Sequence, residues 1–350
     1  MIAPEVLQKL ENFAPYVCAR HETEGEDLIF LDANESPWDT EINRYPDPEM
    51  RELRNRIGEL KGIDPKCIMV GNGSDELIDM MLRGFSLPNR TKVFIPKPTY
   101  SMYQTLAVLN NLPVVEIGLE PNFEADEQKF LNELTGKEGI LFLCRPNNPT
   151  ANNISRNLIL KISKVFIGPV IVDEAYIDFC PEDTFIPEIE NADNLFVLQT
   201  FSKGWGMAGI RLGMLFGTSK NMALLNRIKL PYNVNSLTGK TALLSLQNEE
   251  KVTKQIAQII DERKKLESAL AKLSFVEKVY PSSANFILVR CKSPKQILQK
   301  LKAAKVVIRD RSSLLHCEGC LRISIGTPDQ NYKLRLALEN IENEEVINNR

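Results

Sequence analysis

Five side chains spread along this chain have the types and spacing of a single active site. Asn148 lies in Arg145-Pro-Asn-Asn-Pro-Thr150, Asp173 and Tyr176 bound Asp173-Glu-Ala-Tyr176, Lys203 closes Thr200-Phe-Ser-Lys203, and Arg211 follows eight residues later. The set is an amide, a carboxylate, a phenol, an amine and a guanidinium. An amine condenses with a carbonyl to a Schiff base. A carboxylate keeps a pyridine nitrogen protonated, an amide and a phenol donate to a ring hydroxyl, and a guanidinium holds a phosphate. Pyridoxal 5′-phosphate (PLP) carries all of these groups and is the cofactor that the set predicts.

Each residue also has a plainer reading. Lys203 alone would be a solvated lysine, but it follows an apolar run and precedes Gly204-Trp-Gly206, as in a loop held against a ligand. Asp173 ends Pro169-Val-Ile-Val172. A carboxylate there needs a cation or donors, and an N-cap or a magnesium ligand are its alternatives. Tyr176 alone reads as a packed aromatic, and Asn148 as part of an Asn-Pro turn. Tyr100, in Pro98-Thr-Tyr-Ser101, either stacks on the cofactor ring or is simply buried. Gly73-Ser74-Asp75 opens an apolar-periodic segment, so free N–H groups there, with Ser202 and Arg211, suit the phosphate. Ser74 or Asp75 is expected to cap that helix.

Several other chemistries are set aside. Gly71-x-Gly73 lacks the third glycine of a dinucleotide fingerprint, because Glu76 stands there. A P-loop and His-Glu-x-x-His are absent. His316, Cys317 and Cys320 lack a second pair of ligands, since the only other histidine is His21, so no metal site is expected. The seven cysteines are odd in number and scattered, which favours a reduced, cytoplasmic compartment. A net charge of −3 argues against nucleic-acid binding. Met1-Ile-Ala-Pro-Glu-Val6 has neither a basic stretch nor a long apolar one, so no signal peptide is expected, and no run approaches a membrane span.

The elements that must position these residues alternate between strand-like and helix-like segments, which predicts a mainly parallel α/β sheet. Strands are expected at 67–70, 92–95, 113–117, 140–143, 169–172, 195–198 and 210–216. Leu77, Ile78, Met81, Leu82 and Phe85 mark a helix. After Pro231 come long helical segments over 238–270, then strands at 284–290, 306–308 and 321–325. The expected organisation is an arm over 1–30 packing on the smaller domain or a partner, a large cofactor domain over 31–235, and a small α/β domain over 236–350.

With these residues placed, the chain resembles the histidinol-phosphate aminotransferase branch of the class II PLP-dependent aminotransferases. The resemblance runs from about Phe13 to about Leu336. It includes Ala14-Pro-Tyr16, Leu31-Asp-Ala-Asn-Glu-Ser-Pro37, Arg44-Tyr45-Pro46-Asp-Pro48, Gly209-Ile-Arg-Leu-Gly213, Ile308-Arg309-Asp310 and Cys320-Leu-Arg322-Ile-Ser-Ile-Gly326. It implies fold type I and transamination of L-histidinol phosphate with 2-oxoglutarate in histidine biosynthesis. It also implies a homodimer with shared active sites, in which Tyr45 reaches the partner's cofactor phosphate. By the same resemblance Arg322 receives the substrate's acidic end, Arg309 and Tyr16 help hold its phosphate, and Asn34 lines the pocket. Aromatic aminotransferases and threonine-phosphate decarboxylases share the scaffold, and a non-catalytic PLP-binding regulator is a reading of another class. Two departures stand out: Ala151 replaces the usual glycine after Asn-Pro-Thr, and Gly204-Trp-Gly206 is unusually rich in glycine.

Overall fold

The computed structural model describes residues 1–16, 28–87 and 89–348, with side chains described to residue 344. Part of the expected arm, residues 17–27 with Cys18 and His21, lies outside the described residues. In chain order the elements are α1 (Pro4–Asn12), α2 (Arg51–Lys61), β1 (Ile68–Asn72), α3 (Ser74–Phe85), β2 (Lys92–Lys97), α4 (Met102–Leu109), β3 (Val114–Gly118) and α5 (Glu127–Leu134). Next come β4 (Gly139–Cys144), α6 (Arg156–Val165), β5 (Val170–Asp173), β6 (Leu195–Thr200), β7 (Leu212–Phe216) and α7 (Ser219–Asn226). The remainder is α8 (Ser236–Leu246), α9 (Glu249–Leu270), β8 (Val276–Val279), β9 (Phe286–Cys291), α10 (Pro294–Ala303), β10 (Arg309–Asp310), β11 (Cys320–Ser324) and α11 (Pro328–Asn348).

Seven strands form one sheet in the order β1-β7-β6-β5-β4-β2-β3. Only β7 runs against the others, pairing antiparallel with both β1 and β6. The central strands read Gly-Ile-Leu-Phe-Leu-Cys, Val-Ile-Val-Asp and Leu-Phe-Val-Leu-Gln-Thr, and every residue of them is buried. Such continuous apolar runs are the mark of parallel strands covered on both faces. Alternate side chains feed two cores. Leu141, Leu143, Val170, Val172, Leu195 and Val197 pack with residues of α2, α6 and α8. Ile140, Phe142, Ile171, Phe196 and Leu198 pack with residues of α1, α3, α4 and α7.

The second sheet is antiparallel, in the order β10-β11-β9-β8. Ile287, Val289, Leu321 and Ile323 pack there with Leu266 and Leu270 of α9, Ile297 and Leu301 of α10, and Leu334 and Leu338 of α11. Ala242, Leu246 and Val252 still belong to the core of the large sheet. We therefore place the change of core within α9.

The first helix packs on the large sheet and not on the smaller one, which was one of the two places expected for the arm, the other being a partner. Val6 and Leu10, one helical turn apart, bury in the large-sheet core, and the backbone N–H of Gly168 donates to Met1 O at 2.8 Å. Val306–Ile308 is not a strand, since the chain joins the sheet only at Arg309, opposite Arg322. The edge strand β8 was not anticipated, because Val-Glu-Lys-Val is half-exposed and its charges hide the alternation.

Six parallel strands direct their C-terminal ends to one edge of the large sheet, where α/β sheets bind ligands. There β1 turns into α3 through Gly73, whose φ is 80°. Gly73, rather than Ser74 or Asp75, is the N-cap, and no side chain caps this helix. The physical reason is crowding: a Cβ on Gly213 of β7 would stand 2.5 Å from Ser74 N, and one on Gly73 would stand 2.6 Å from Arg211 Nη2. We predict that Gly213→Ala forces the start of α3 off β7 and lowers stability by about 1–3 kcal/mol, read as a lower urea midpoint. An unchanged midpoint would show that this approach is slack.

Candidate active site

A cavity of about 310 Å³ opens at this edge. Its wall contains Ser74, Asp75, Tyr100, Asn148, Asp173, Tyr176, Ser202, Lys203, Arg211 and Arg322, ten of the residues selected from sequence. They arrive on separate segments: Ser74 and Asp75 at the start of α3, Tyr100 after β2, Asn148 after β4, Tyr176 after β5, and Ser202 and Lys203 after β6. Arg322 comes from β11 of the other sheet.

Asp173 is the last residue of β5 and is 3% exposed. Burial pushes its carboxyl up to about 6, against the donors that favour its ionised form. Those donors are Tyr103 Oη, 2.5 Å from Oδ2, and the Ala175 N–H, 3.0 Å from Oδ1. Tyr103 stacks on Phe142 at 4.9 Å between centroids. Nothing in the sequence singled it out, because it reads as one more apolar position of α4. The neighbouring Glu174 turns away and, although buried, accepts from Thr184 Oγ1 at 2.7 Å, Phe185 N at 2.6 Å and Gln199 Nε2 at 2.8 Å. It pins the loop that follows β5.

Lys203 Nζ lies 5.6 Å from the centre of the Tyr176 ring. Burial and then the Arg322 charge lower its pKa, with Asp173 opposing them. An amine so placed loses its proton more readily than a solvated lysine. The loop behind it is held tightly: a side chain at Gly204 would collide with Asp178, and Gly206 has a φ of 66°. The glycine-rich departure thus answers a close approach and a left-handed turn.

Asn148 Nδ2 donates to Tyr176 Oη at 3.3 Å, and Asn148 Oδ1 accepts from Arg322 Nη1 at 2.5 Å. Buried Asn147, also missed from sequence, ties two loops together. Its Nδ2 donates to Pro98 O at 2.9 Å and its Oδ1 accepts from Thr99 Oγ1 at 2.8 Å. Ala151 is buried with a φ of 63°, the left-handed region that the usual glycine enters freely. The turn keeps the glycine-like shape, and the Ala151 methyl packs with Tyr176, Phe179 and Phe286.

Elsewhere in the same wall, Arg211 Nη2 lies 3.4 Å from Asp75 Oδ2, and Tyr100 Oη donates to Asp75 Oδ1 at 3.1 Å. Ser202 Oγ sits 2.9 Å from Thr200 Oγ1. The uncapped N–H groups of α3, a serine hydroxyl and a guanidinium make an anion cradle. Four of the selected residues are not in the wall. Tyr16, Asn34 and Arg309 are exposed, and Tyr45, 50% exposed, stacks on Tyr232 at 4.4 Å. Thr99, Arg311 and Leu314 line the cavity without having been selected.

A buried carboxylate lacking a full cationic partner, an amine of lowered pKa and an uncapped helix start opposite each other fit the pyridinium, aldehyde and phosphate of PLP. Comparison with known proteins agrees. The chain belongs to the aminotransferase class I and II family, whose model matches residues 32–338. Within it, the chain is 44% identical over 331 residues to the histidinol-phosphate aminotransferase of Parabacteroides distasonis, covering 95% of this chain and 96% of that one. It is 43% identical over 332 residues to that of Christiangramia forsetii, covering 94% and 95%. Among solved structures, the histidinol-phosphate aminotransferase of Clostridium acetobutylicum superposes with a TM-score of 0.78 at 25% identity, over 87% of this chain and 92% of that one. That of Sinorhizobium meliloti, in complex with PLP, shares the fold at 19% identity with a TM-score of 0.76, over 98% and 88%. The protein is an aminotransferase.

We predict that Tyr103→Phe keeps the ring packing but lowers kcat about 10- to 100-fold, the worth of a hydrogen bond to a buried charge. Steady-state kinetics on the holoenzyme, beside a melting curve, checks this. An unchanged kcat would remove Tyr103 from the support of Asp173.

Proposed function

We propose that this aminotransferase converts L-histidinol phosphate and 2-oxoglutarate to imidazole-acetol phosphate and glutamate, as a cytoplasmic homodimer. The observation that carries the substrate assignment is the 39–44% identity, over most of the chain, to relatives named histidinol-phosphate aminotransferase. The cationic wall at Arg322 supports it, since a guanidinium fits both a phosphate and a carboxylate.

When bound, PLP supplies an aldehyde carbon for amine exchange and a pyridinium ring that accepts the electron pair left at the substrate Cα. Asp173 holds the ring nitrogen protonated, and Tyr103 holds Asp173. Asn148 and Tyr176 would donate to the ring hydroxyl oxygen, and Tyr100 would pack against the ring. The N–H groups of Ser74 and Asp75, with Ser202 and Arg211, hold the cofactor phosphate. Lys203 Nζ would hold the cofactor at its aldehyde carbon. The same amine would take the proton from the substrate Cα as general base, aided by its lowered pKa. Arg322 binds the acidic end of each substrate in turn, positioned by Asn148 Oδ1.

The dimer is supported by an unusual run of exposed apolar side chains that includes Ile29, Leu31, Trp38, Ile42 and Tyr45. Patches of this kind mark interaction surfaces. In this reading Tyr45 in that run would serve the partner's site, in keeping with its absence from the cavity of its own chain. No helix among the described residues is long and apolar enough to cross a membrane.

Two outcomes are expected. Lys203→Ala lowers transamination of histidinol phosphate by at least about 10³-fold, followed as glutamate formed from 2-oxoglutarate. A variant at wild-type rate would overturn the role of Lys203, and a wild-type enzyme inert to histidinol phosphate would overturn the substrate. Analytical ultracentrifugation is expected to give a dimer, which Trp38→Glu weakens. A monomer at micromolar concentration would refute the shared site.

A further inference from the structure

Arg311 follows β10 immediately and lines the cavity with Leu314 and Arg322. Its backbone N–H donates to Cys320 O at 2.9 Å, which fixes its place beside β11. Its Nε is buried and has no hydrogen-bond partner. The register sets Arg309 directly opposite Arg322, and Arg311 stands two residues further on. Burial, then the charges of Arg322 and Arg309, lower its pKa; Tyr176 and Cys317 oppose them, and among the described residues no carboxylate does. Arg322 is lowered in the same way, first by burial, and its nearest polar partner is the neutral amide of Asn148.

Two partly buried guanidinium groups without an acid between them are costly unless an anion joins them. The number of charges decides which anion. One planar guanidinium satisfies a carboxylate with two parallel hydrogen bonds. A phosphate monoester carries about −1.5 to −2 charges at neutral pH and three acceptor oxygens, so it leaves bonds and charge for a second guanidinium.

We propose that Arg311 determines substrate specificity: with Arg322 it forms a two-guanidinium clamp for a phosphate monoester, whereas a carboxylate is served by Arg322 alone. This rests on the phosphate-bearing substrate of the proposed function. It adds a residue to the expectation from sequence, in which Arg309 and Tyr16 help hold the phosphate; both are exposed in this chain and lie outside the cavity wall.

The test uses holoenzyme of the wild type, Arg311→Gln and Arg311→Lys. Rapid mixing with histidinol phosphate or with glutamate, followed by the cofactor's absorbance, gives a specificity constant for each half-reaction. Arg311→Gln is expected to lower the ratio of the two constants, phosphate over carboxylate, by at least about 30-fold, with Arg311→Lys in between. A ratio within about threefold of wild type, whether both constants fall or neither does, overturns the clamp. A second arm measures inhibition of the glutamate half-reaction by glycerol phosphate and by succinate. Arg311→Gln is expected to weaken the phosphate inhibitor relative to the dicarboxylate by at least about 10-fold, and an unchanged ratio again overturns the clamp. This arm does not need histidinol phosphate to be a substrate. If wild type ignores that compound yet distinguishes the inhibitors through Arg311, the substrate assignment fails and the clamp stands.

Discussion

The arrangement depends on one constraint, the burial of the Asp173 carboxylate at the end of β5. Removing a carboxylate from water costs several kcal/mol unless donors or a cation repay it. Two donors are built in, Tyr103 Oη and the Ala175 N–H. They do not cancel the cost, since the carboxyl still titrates near 6. The remainder is a standing demand for positive charge at one point of the strand edge. A protonated pyridine nitrogen would meet that demand and make its ring the electron sink that transamination uses. Strands buried on both faces make this possible, because only a covered sheet keeps water from satisfying the carboxylate instead.

Around that point the loops are tied to one another rather than left to solvent. Asn147 joins the loops after β2 and β4, and Glu174 anchors the segment after β5 to β6. Gly204 lets the lysine loop lie against Asp178. Preorganisation of this kind holds reacting groups near their productive geometry before substrate arrives.

The central sheet was legible in the sequence because fully buried parallel strands write themselves as unbroken apolar runs. The PLP set was legible because its residues sit just after those runs, where polar side chains are otherwise hard to explain. What stayed hidden required distances. Tyr103 looks like core and Arg311 like any surface arginine, for spacing does not tell which of three arginines faces the cavity. The cap of α3 was misread because Ser74 and Asp75 are good caps by type, while the close approach of β7 leaves the role to Gly73. The edge strand β8 was lost in its own charges. Tyr16, Asn34, Arg309 and Tyr45 came from resemblance alone, and a single chain does not bring them to the cavity.

The order of the site along the chain has a consequence for biosynthesis. Every proposed cofactor contact within one chain, from Ser74 to Arg211, is encoded before the smaller sheet begins at Val276. Arg311 and Arg322, which line the same cavity, follow about a hundred residues later. Because domains fold from the N-terminus during synthesis, the groups that capture PLP are assembled while the substrate wall is still being translated. Cofactor can thus act as a folding ligand for the nascent large sheet, stabilising it by mass action. The cavity wall is complete only once β11 is in place and Arg322 donates to Asn148.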